Sequence, residues 1–307
     1  MSDPDVPVRE DVVRVRPPYR LDLTAVVLRR LSTNVVDVFE DGTYRRLLGD
    51  PQAPTLLSVT QTAPDALAWR LEGPAARALD GPALVRRALG TEVDLAAFDA
   101  GARSVPWLDR IAAGARGVRP PRYPSLWETV CNAVVYQQVS IHAAGAILRR
   151  TIERYSTPVE VAGVRLYPFF SPRTMLDADP VELRAAGQSV QKINAMKAVA
   201  AAIEAGALDE GALEALPTPE LLAALVAHRG IGPWTAAVIA LRGFGRLDVF
   251  PMNDSGAAAG LRTLSGDPTT QPEPIIAALE PQQGMLYYHL LLGRLHATGE
   301  ITLAAPQ

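Results

Sequence analysis

The sequence has one cysteine, Cys131, among 307 residues. That excludes an intrachain disulfide framework and any four-cysteine zinc or iron–sulfur site. No run of about 18 apolar residues occurs, so nothing reads as a membrane-spanning helix. The opening stretch, MSDPDVPVREDVVRVRPPYR, is too polar and proline-rich for a secretory leader. A soluble, cytoplasmic protein without a membrane partner is the expectation. A basic excess is lacking as well. The net charge is −3, which argues against a polyanion held on a broad cationic face. His142, His228, His289 and His296 fall at no metal-ligand spacing and read as packing or surface residues.

What is present suffices for a large core. Hydrophobic residues make up 48% and charged residues 21%, and the length suits about two domains. Residues 1–18 read as a flexible arm. From Tyr19 to Glu72 the pattern is β-rich. Asp22 to Arg30 alternates loosely, Asp41-Gly42 is a hairpin signal, and TLLSVTQ and ALAWRLEG form a second strand pair. Helices are expected near 81–90 and 94–100, and Trp69 and Trp107 read as packing residues. The segment AGARGVRPPRYP breaks the chain around 113–124. Beyond it the pattern is helical. Ser125 caps a helix with Glu128 in capping-box register, and Ser140 opens the next. The expected fold is mainly α: an α+β domain over 19–112 precedes an all-α domain over 113–307.

Leu221 to Leu264 carries the chemistry. Leu221, Leu222, Leu225 and Val226 share one helical face, Gly230 stops that helix, and Pro233 opens another. Two helices therefore meet at Gly230-Ile231-Gly232. Gly232 permits close backbone approach, and the free N–H groups of the second helix can hold a phosphate without lysine or arginine. An ordinary helical corner would also use these residues. Asp254 follows, just before SGAAAGLRTL. It is a natural N-cap, and a helix start also keeps a carboxylate ionised. An ionised carboxylate can stabilise a positive charge developing on a reacting partner. Asp248 reads as a loop anchor.

The hairpin, with an aspartate about 20 residues beyond it, resembles the helix–hairpin–helix DNA glycosylase superfamily. Residues 121–301 resemble its 3-methyladenine DNA glycosylase II (AlkA-type) branch. The resemblance is carried by LWETVCNAVVYQQVSIHAAGAILRR, by LRAAGQSVQKINAMKAVA and, most specifically, by HRGIGPWTAAVIALRGFGRLDVFPMND. It implies an all-α helix–hairpin–helix domain behind a mixed one, and a monomeric enzyme that flips damaged, alkylated bases out of double-stranded DNA. Asp254 would be catalytic. Gly230, Gly232, Thr235 and Ser140 would contact DNA, and Gln138 would fill the gap left by the base. Trp234, Tyr136, Trp127 and Gln282 would form the base pocket, with Tyr287 and Tyr288 as substitutes. The His228 carbonyl could face a monovalent cation at the hairpin; no cofactor is required and no iron–sulfur cluster is expected. Bifunctional members place a lysine where Trp234 stands, so no lyase activity is expected. The alternatives are a glycosylase for another lesion class and a catalytically silent DNA-binding protein.

Overall fold

The computed structural model describes residues 6–304. Strand β1 (Val8–Arg14) is followed by α1 (Leu21–Arg29), β2 (Val38–Glu40) and β3 (Thr43–Leu48). Asp41 and Gly42 link β2 to β3 with φ of 49° and 72°, the left-handed pair of a tight hairpin. Strands β4 (Thr55–Ala63) and β5 (Ala66–Glu72) complete a five-stranded antiparallel sheet of order β1-β5-β4-β3-β2. Helices α2 (Gly81–Leu89), α3 (Ala96–Ala102) and α4 (Pro106–Gly114) follow.

Two sequence expectations change here. Val8–Arg14 belongs to no flexible arm: it pairs with β5 from Val8 opposite Glu72 to Arg14 opposite Ala66. The ladder satisfies its backbone, and Val13 packs into the core beneath the sheet. Residues 1–5 of the expected arm lie outside the described residues. Asp22 to Arg30 is helical, not extended. Leu21 and every residue from Leu23 to Leu28 are buried, because α1 is enclosed on several sides, and that enclosure erases the one-faced period by which a helix is recognised.

The remaining helical body runs through α5 (Leu126–Val135), α6 (Ile141–Tyr155) and a small ribbon of β6 (Val159–Val161) and β7 (Val164–Leu166). Then come α7 (Pro172–Asp177), α8 (Pro180–Ala185), α9 (Val190–Glu204), α10 (Glu210–Glu214) and α11 (Thr218–Val226). The chain ends with α12 (Pro233–Gly243), α13 (Ser255–Ser265), α14 (Pro272–Ala278) and α15 (Gly284–Ala297). Ser125, Ser140, Ser171, Ser189 and Asp254 each accept a backbone N–H three residues on. Such caps contribute about 1 kcal/mol apiece. Glu128 does not reach back to Ser125; it is buried and ion-paired elsewhere. No helix among the described residues is long and apolar enough to cross a membrane.

Three apolar clusters fill the interior. Tyr44, Val59, Leu67 and Trp69 lie in the one beneath the sheet. Val130, Val134, Met196, Leu225 and Ile239 belong to a second, built from α5, α9, α11 and α12. The third spans the chain: Leu23, Val27, Phe98, Trp107 and Leu108 pack with Leu261, Leu279, Leu286 and Leu292. Two fully buried arginines help fasten sheet side to helical side. Arg46 on β3 pairs with Asp37 and with Glu128 of α5, both at 2.7 Å. Arg242, fully buried at the end of α12, donates to the carbonyls of Val27 and Leu28 at 2.9 and 3.2 Å. A guanidinium is well placed there, at the carbonyl end of α1.

Candidate active site

A cleft of about 1000 Å³ opens where four helix starts converge. Ser140, Ile141 and His142 reach it from α6, Gln191 from α9, Gly232, Trp234 and Thr235 from α12, and Asp254 to Ala257 from α13. Each helix start presents N–H groups without intrahelical acceptors and a fraction of a positive charge. The mouth of the cleft therefore favours anions, although the chain as a whole is mildly acidic.

Gly230 and Gly232, so alike in sequence, do different work. Gly230 has φ +89°, and an added Cβ would lie 2.3 Å from Cβ of Ala195 on α9. Only glycine fits that left-handed, contact-bound position. Gly232 caps α12 with φ −86° and has nothing within 4 Å of its would-be Cβ. The neighbouring turn is tied to this hairpin. Gln137 Nε2 donates to Thr235 Oγ1 at 2.8 Å and reaches the Gly230 carbonyl at 3.5 Å. Gln138, next along, is held at φ +56° on the cleft wall.

Asp254 has both carboxylate oxygens engaged. Oδ1 accepts the Ala257 N–H at 2.7 Å, so the residue does cap α13. Oδ2 accepts the indole N–H of Trp234 at 3.0 Å and, more weakly, the phenol of Tyr287 at 3.5 Å. Burial pushes the Tyr287 phenol up to about 12, so at neutral pH it stays a donor to the carboxylate. Asn253, just before, adopts φ +62°, a left-handed step that asparagine tolerates better than most residues. On the far side of the helix start, Arg294 Nη1 donates to the Gly256 carbonyl at 3.1 Å.

The structure gathers Tyr136, Gln138, Ser140, Gly232, Trp234, Thr235 and Asp254 around one cleft. Several are not placed as the sequence suggested. Trp234 uses its N–H on Asp254, and the Thr235 hydroxyl is buried against Gln137. Ser140 Oγ caps its own helix. The ring of Tyr136 has the Arg30 guanidinium 4.0 Å from its centroid. Two expected pocket residues lie elsewhere. Trp127 is buried in the helical core, donating to the Phe170 carbonyl at 2.8 Å. Gln282 accepts from the Phe98 N–H at 2.9 Å and donates to the Asp94 carbonyl, in a turn ahead of α15. Tyr287, in the first turn of α15, does line the cleft, together with Tyr136 and Trp234. Arg294, two turns further along α15, also lines it. The His228 carbonyl accepts the Ile231 N–H at 3.1 Å within the hairpin. Sequence reasoning overlooked Arg30 and Gln137. No sequence pattern marks Arg30; Gln137 could have been suspected from its place beside Gln138.

Comparison with known proteins places this geometry. Residues 131–282 match the HhH-GPD superfamily base excision DNA repair protein family. A protein of Mycobacterium tuberculosis named "Probable bifunctional transcriptional activator/DNA repair enzyme AlkA" is 32% identical over 252 residues, covering 81% of this chain and 50% of the relative. The chain spans about half the length of the first curated relatives it matches. Among solved structures, a 3-methyladenine DNA glycosylase from Archaeoglobus fulgidus superposes with TM-score 0.73 and 20% identity, over 92% of this chain and 98% of that one. A 3-methyladenine DNA glycosylase of Schizosaccharomyces pombe in complex with abasic DNA gives TM-score 0.53 and 25% identity, over 66% of this chain and 98% of that one.

Proposed function

The chain belongs to the HhH-GPD superfamily of base excision DNA repair proteins, on its AlkA-type branch, and we propose that it is a monofunctional DNA glycosylase releasing damaged, alkylated bases such as 3-methyladenine. The observation that carries the reading is Asp254. It is a carboxylate on the wall of a cleft roomy enough to admit a base, oriented by Trp234 and Ala257 and placed at a helix start.

In this reading the duplex lies across the convergent helix starts, with phosphates on the peptide N–H groups of α12. The open space beside Gly232 is where a DNA backbone approaches, which explains a glycine that no internal contact requires. Gln138 enters the base stack while the damaged nucleotide turns into the cleft. As the glycosidic bond lengthens, positive charge gathers on the sugar. Asp254 stabilises it and orients the attacking water. The three donors around its carboxylate hold both oxygens in fixed directions.

Lyase chemistry requires an amine for a Schiff base. The chain has two lysines, and neither lines the cleft. Lys192 Nζ donates to the Val135 carbonyl, and Lys197 Nζ to those of Leu176 and Ala178, all at 2.8 Å. This supports hydrolysis without strand cleavage. A monovalent cation is compatible with the hairpin, since the His228 carbonyl keeps one lone pair beyond its bond to Ile231. It would strengthen the phosphate grip electrostatically.

Asp254→Asn separates catalysis from capping. Asparagine caps a helix about as well as aspartate, so stability holds while release of 3-methyladenine from duplex DNA is lost. Undiminished release overturns the assignment, and a borohydride-trapped covalent DNA adduct overturns the monofunctional reading.

A further inference from the structure

Both lysines of the chain stand on α9, and each holds the end of another helix. Lys197 Nζ donates to the Leu176 and Ala178 carbonyls at the end of α7. Lys192 Nζ donates at 2.8 Å to the carbonyl of Val135, the last residue of α5. That carbonyl is among the last four of the helix, which have no intrahelical partner and form the negative end of its dipole. Burial pushes the Lys192 ammonium below the usual lysine range, and no carboxylate lies within 4.0 Å of it among the described residues. The Val135 carbonyl is the partner for which the ammonium gives up part of its hydration.

Directly after Val135 comes the turn that carries Gln138. This residue is exposed on the cleft wall at φ +56°, a left-handed step that favours glycine. Its side chain makes no hydrogen bond among the described residues. Its neighbours hold the turn instead. Arg30 lies over the Tyr136 ring, Gln137 donates to Thr235, and Ser140 caps α6. A strained conformation persists only where its surroundings over-determine it. Lys192 is the anchor at the point where the chain leaves α5.

We propose that Lys192 is a positioning residue for the base-gap turn: by holding the Val135 carbonyl it fixes how the chain leaves α5, and with that the aim of Gln138. The inference rests on the glycosylase reading, in which Gln138 enters the base stack, and deepens it. Lys192 is absent from the cleft lining, where its neighbour Gln191 stands, so it acts through Gln138 and not on the reacting atoms. The clamp joins α9 to α5, and Val134, Ile193 and Met196 of these helices share one apolar cluster. The turn is thereby braced against the helical core on one side and, through Gln137, against the hairpin on the other. Extruding a nucleotide costs unstacking and unpairing. A side chain held in the gap offsets that cost better than one free to swing away.

The test uses the full chain and fluorescence anisotropy at one fixed salt concentration, with intact duplex and with duplex carrying a tetrahydrofuran abasic-site analogue. The readout is the ratio of the two affinities, which neither lost stability nor lost attraction to phosphate moves. Lys192→Met lowers the preference for the abasic duplex by about tenfold, the scale of one hydrogen bond to a charged group. Lys192→Arg keeps a cationic donor and holds the ratio within about twofold of wild type. Gln138→Ala lowers the ratio too, and adding Lys192→Met to it lowers the ratio little further. Thermal melting reports the fold; if Lys192→Met is unfolded, Lys192→Gln, whose amide falls one bond short of the carbonyl, is read in its place. Equal losses on both duplexes mean that the ammonium serves phosphate, and overturn the inference, as does full additivity with Gln138→Ala. A wild-type protein without preference for the abasic duplex, or a Gln138→Ala variant that keeps it, overturns the base-gap assignment and this inference with it. A drop for Gln138→Ala with none for Lys192→Met overturns this inference alone.

Discussion

The indole N–H of Trp234 donates to Asp254 Oδ2 at 3.0 Å, joining the first turn of α12 to the cap of α13. The indole that opens α12 is thus the group that holds the carboxylate capping α13. Oδ1 is fixed independently by the Ala257 N–H, so the two oxygens are oriented from two helices at once.

Trp234→Phe keeps a flat ring in the cleft and removes the donor. Base release is expected to fall about tenfold, the scale of one hydrogen bond to a charged group. Affinity for duplex DNA with an abasic site is expected to hold. Single-turnover kinetics with fluorescence anisotropy check this; an unchanged rate with weakened binding would mean the indole serves the DNA and not the carboxylate.

The hairpin glycines should respond differently to alanine. Gly230→Ala meets Ala195 and a left-handed φ, and costs about 2 kcal/mol or more. Gly232→Ala meets no atom within 4 Å and loses at most the modest preference for glycine over alanine at a cap, about 1 kcal/mol. Its effect belongs on DNA affinity. Urea unfolding and anisotropy of both variants test the contrast, which fails if Gly232→Ala is the less stable protein.

Gln137 and Thr235 should act as one unit. Thr235→Val deletes the acceptor without changing shape, and Gln137→Ala deletes the donor. In a double-mutant cycle on binding to abasic duplex, the two losses should overlap by about 1 kcal/mol. Additive losses would show that the base-gap turn and the phosphate grip move independently.

Stability should depend on pH through His289. Burial against Phe98 pushes its imidazole down to about 4 from an ordinary 6.5. Between those values the unfolded chain binds the extra proton. The contribution is therefore complete above pH 6.5 and is lost as pH falls toward 4. Glu128 has the opposite sign: burial pushes it up to about 7, so it disfavours the fold as pH rises from about 4.5. His289→Phe should flatten the acid side of a urea-midpoint profile relative to wild type, and an unaltered slope would count against the assignment.

The hairpin, the cap role of Asp254 and most helices of the C-terminal half were readable in sequence, because caps, glycines and prolines act locally. Residues 21–29 were misread because enclosure by surrounding elements hides a helical period. Trp127 and Gln282 were misplaced for a related reason. Their residue types suited a base pocket, but which way α5 faces, and where α15 begins, are settled by packing against Phe170, Phe98 and Asp94. The place of Arg30 in the cleft was not legible because it depends on the end of α1 meeting α12 and Tyr136, a juxtaposition of distant segments that no local pattern encodes.

The convergence of four helix starts bears on how the protein responds to its ionic surroundings. A lysine or arginine on a phosphate displaces a condensed counterion, and each such release steepens the dependence of affinity on salt. Peptide N–H groups carry fixed partial charge and displace fewer ions. In the proposed reading, a duplex held mainly by helix starts is therefore expected to be released only gradually as ionic strength rises.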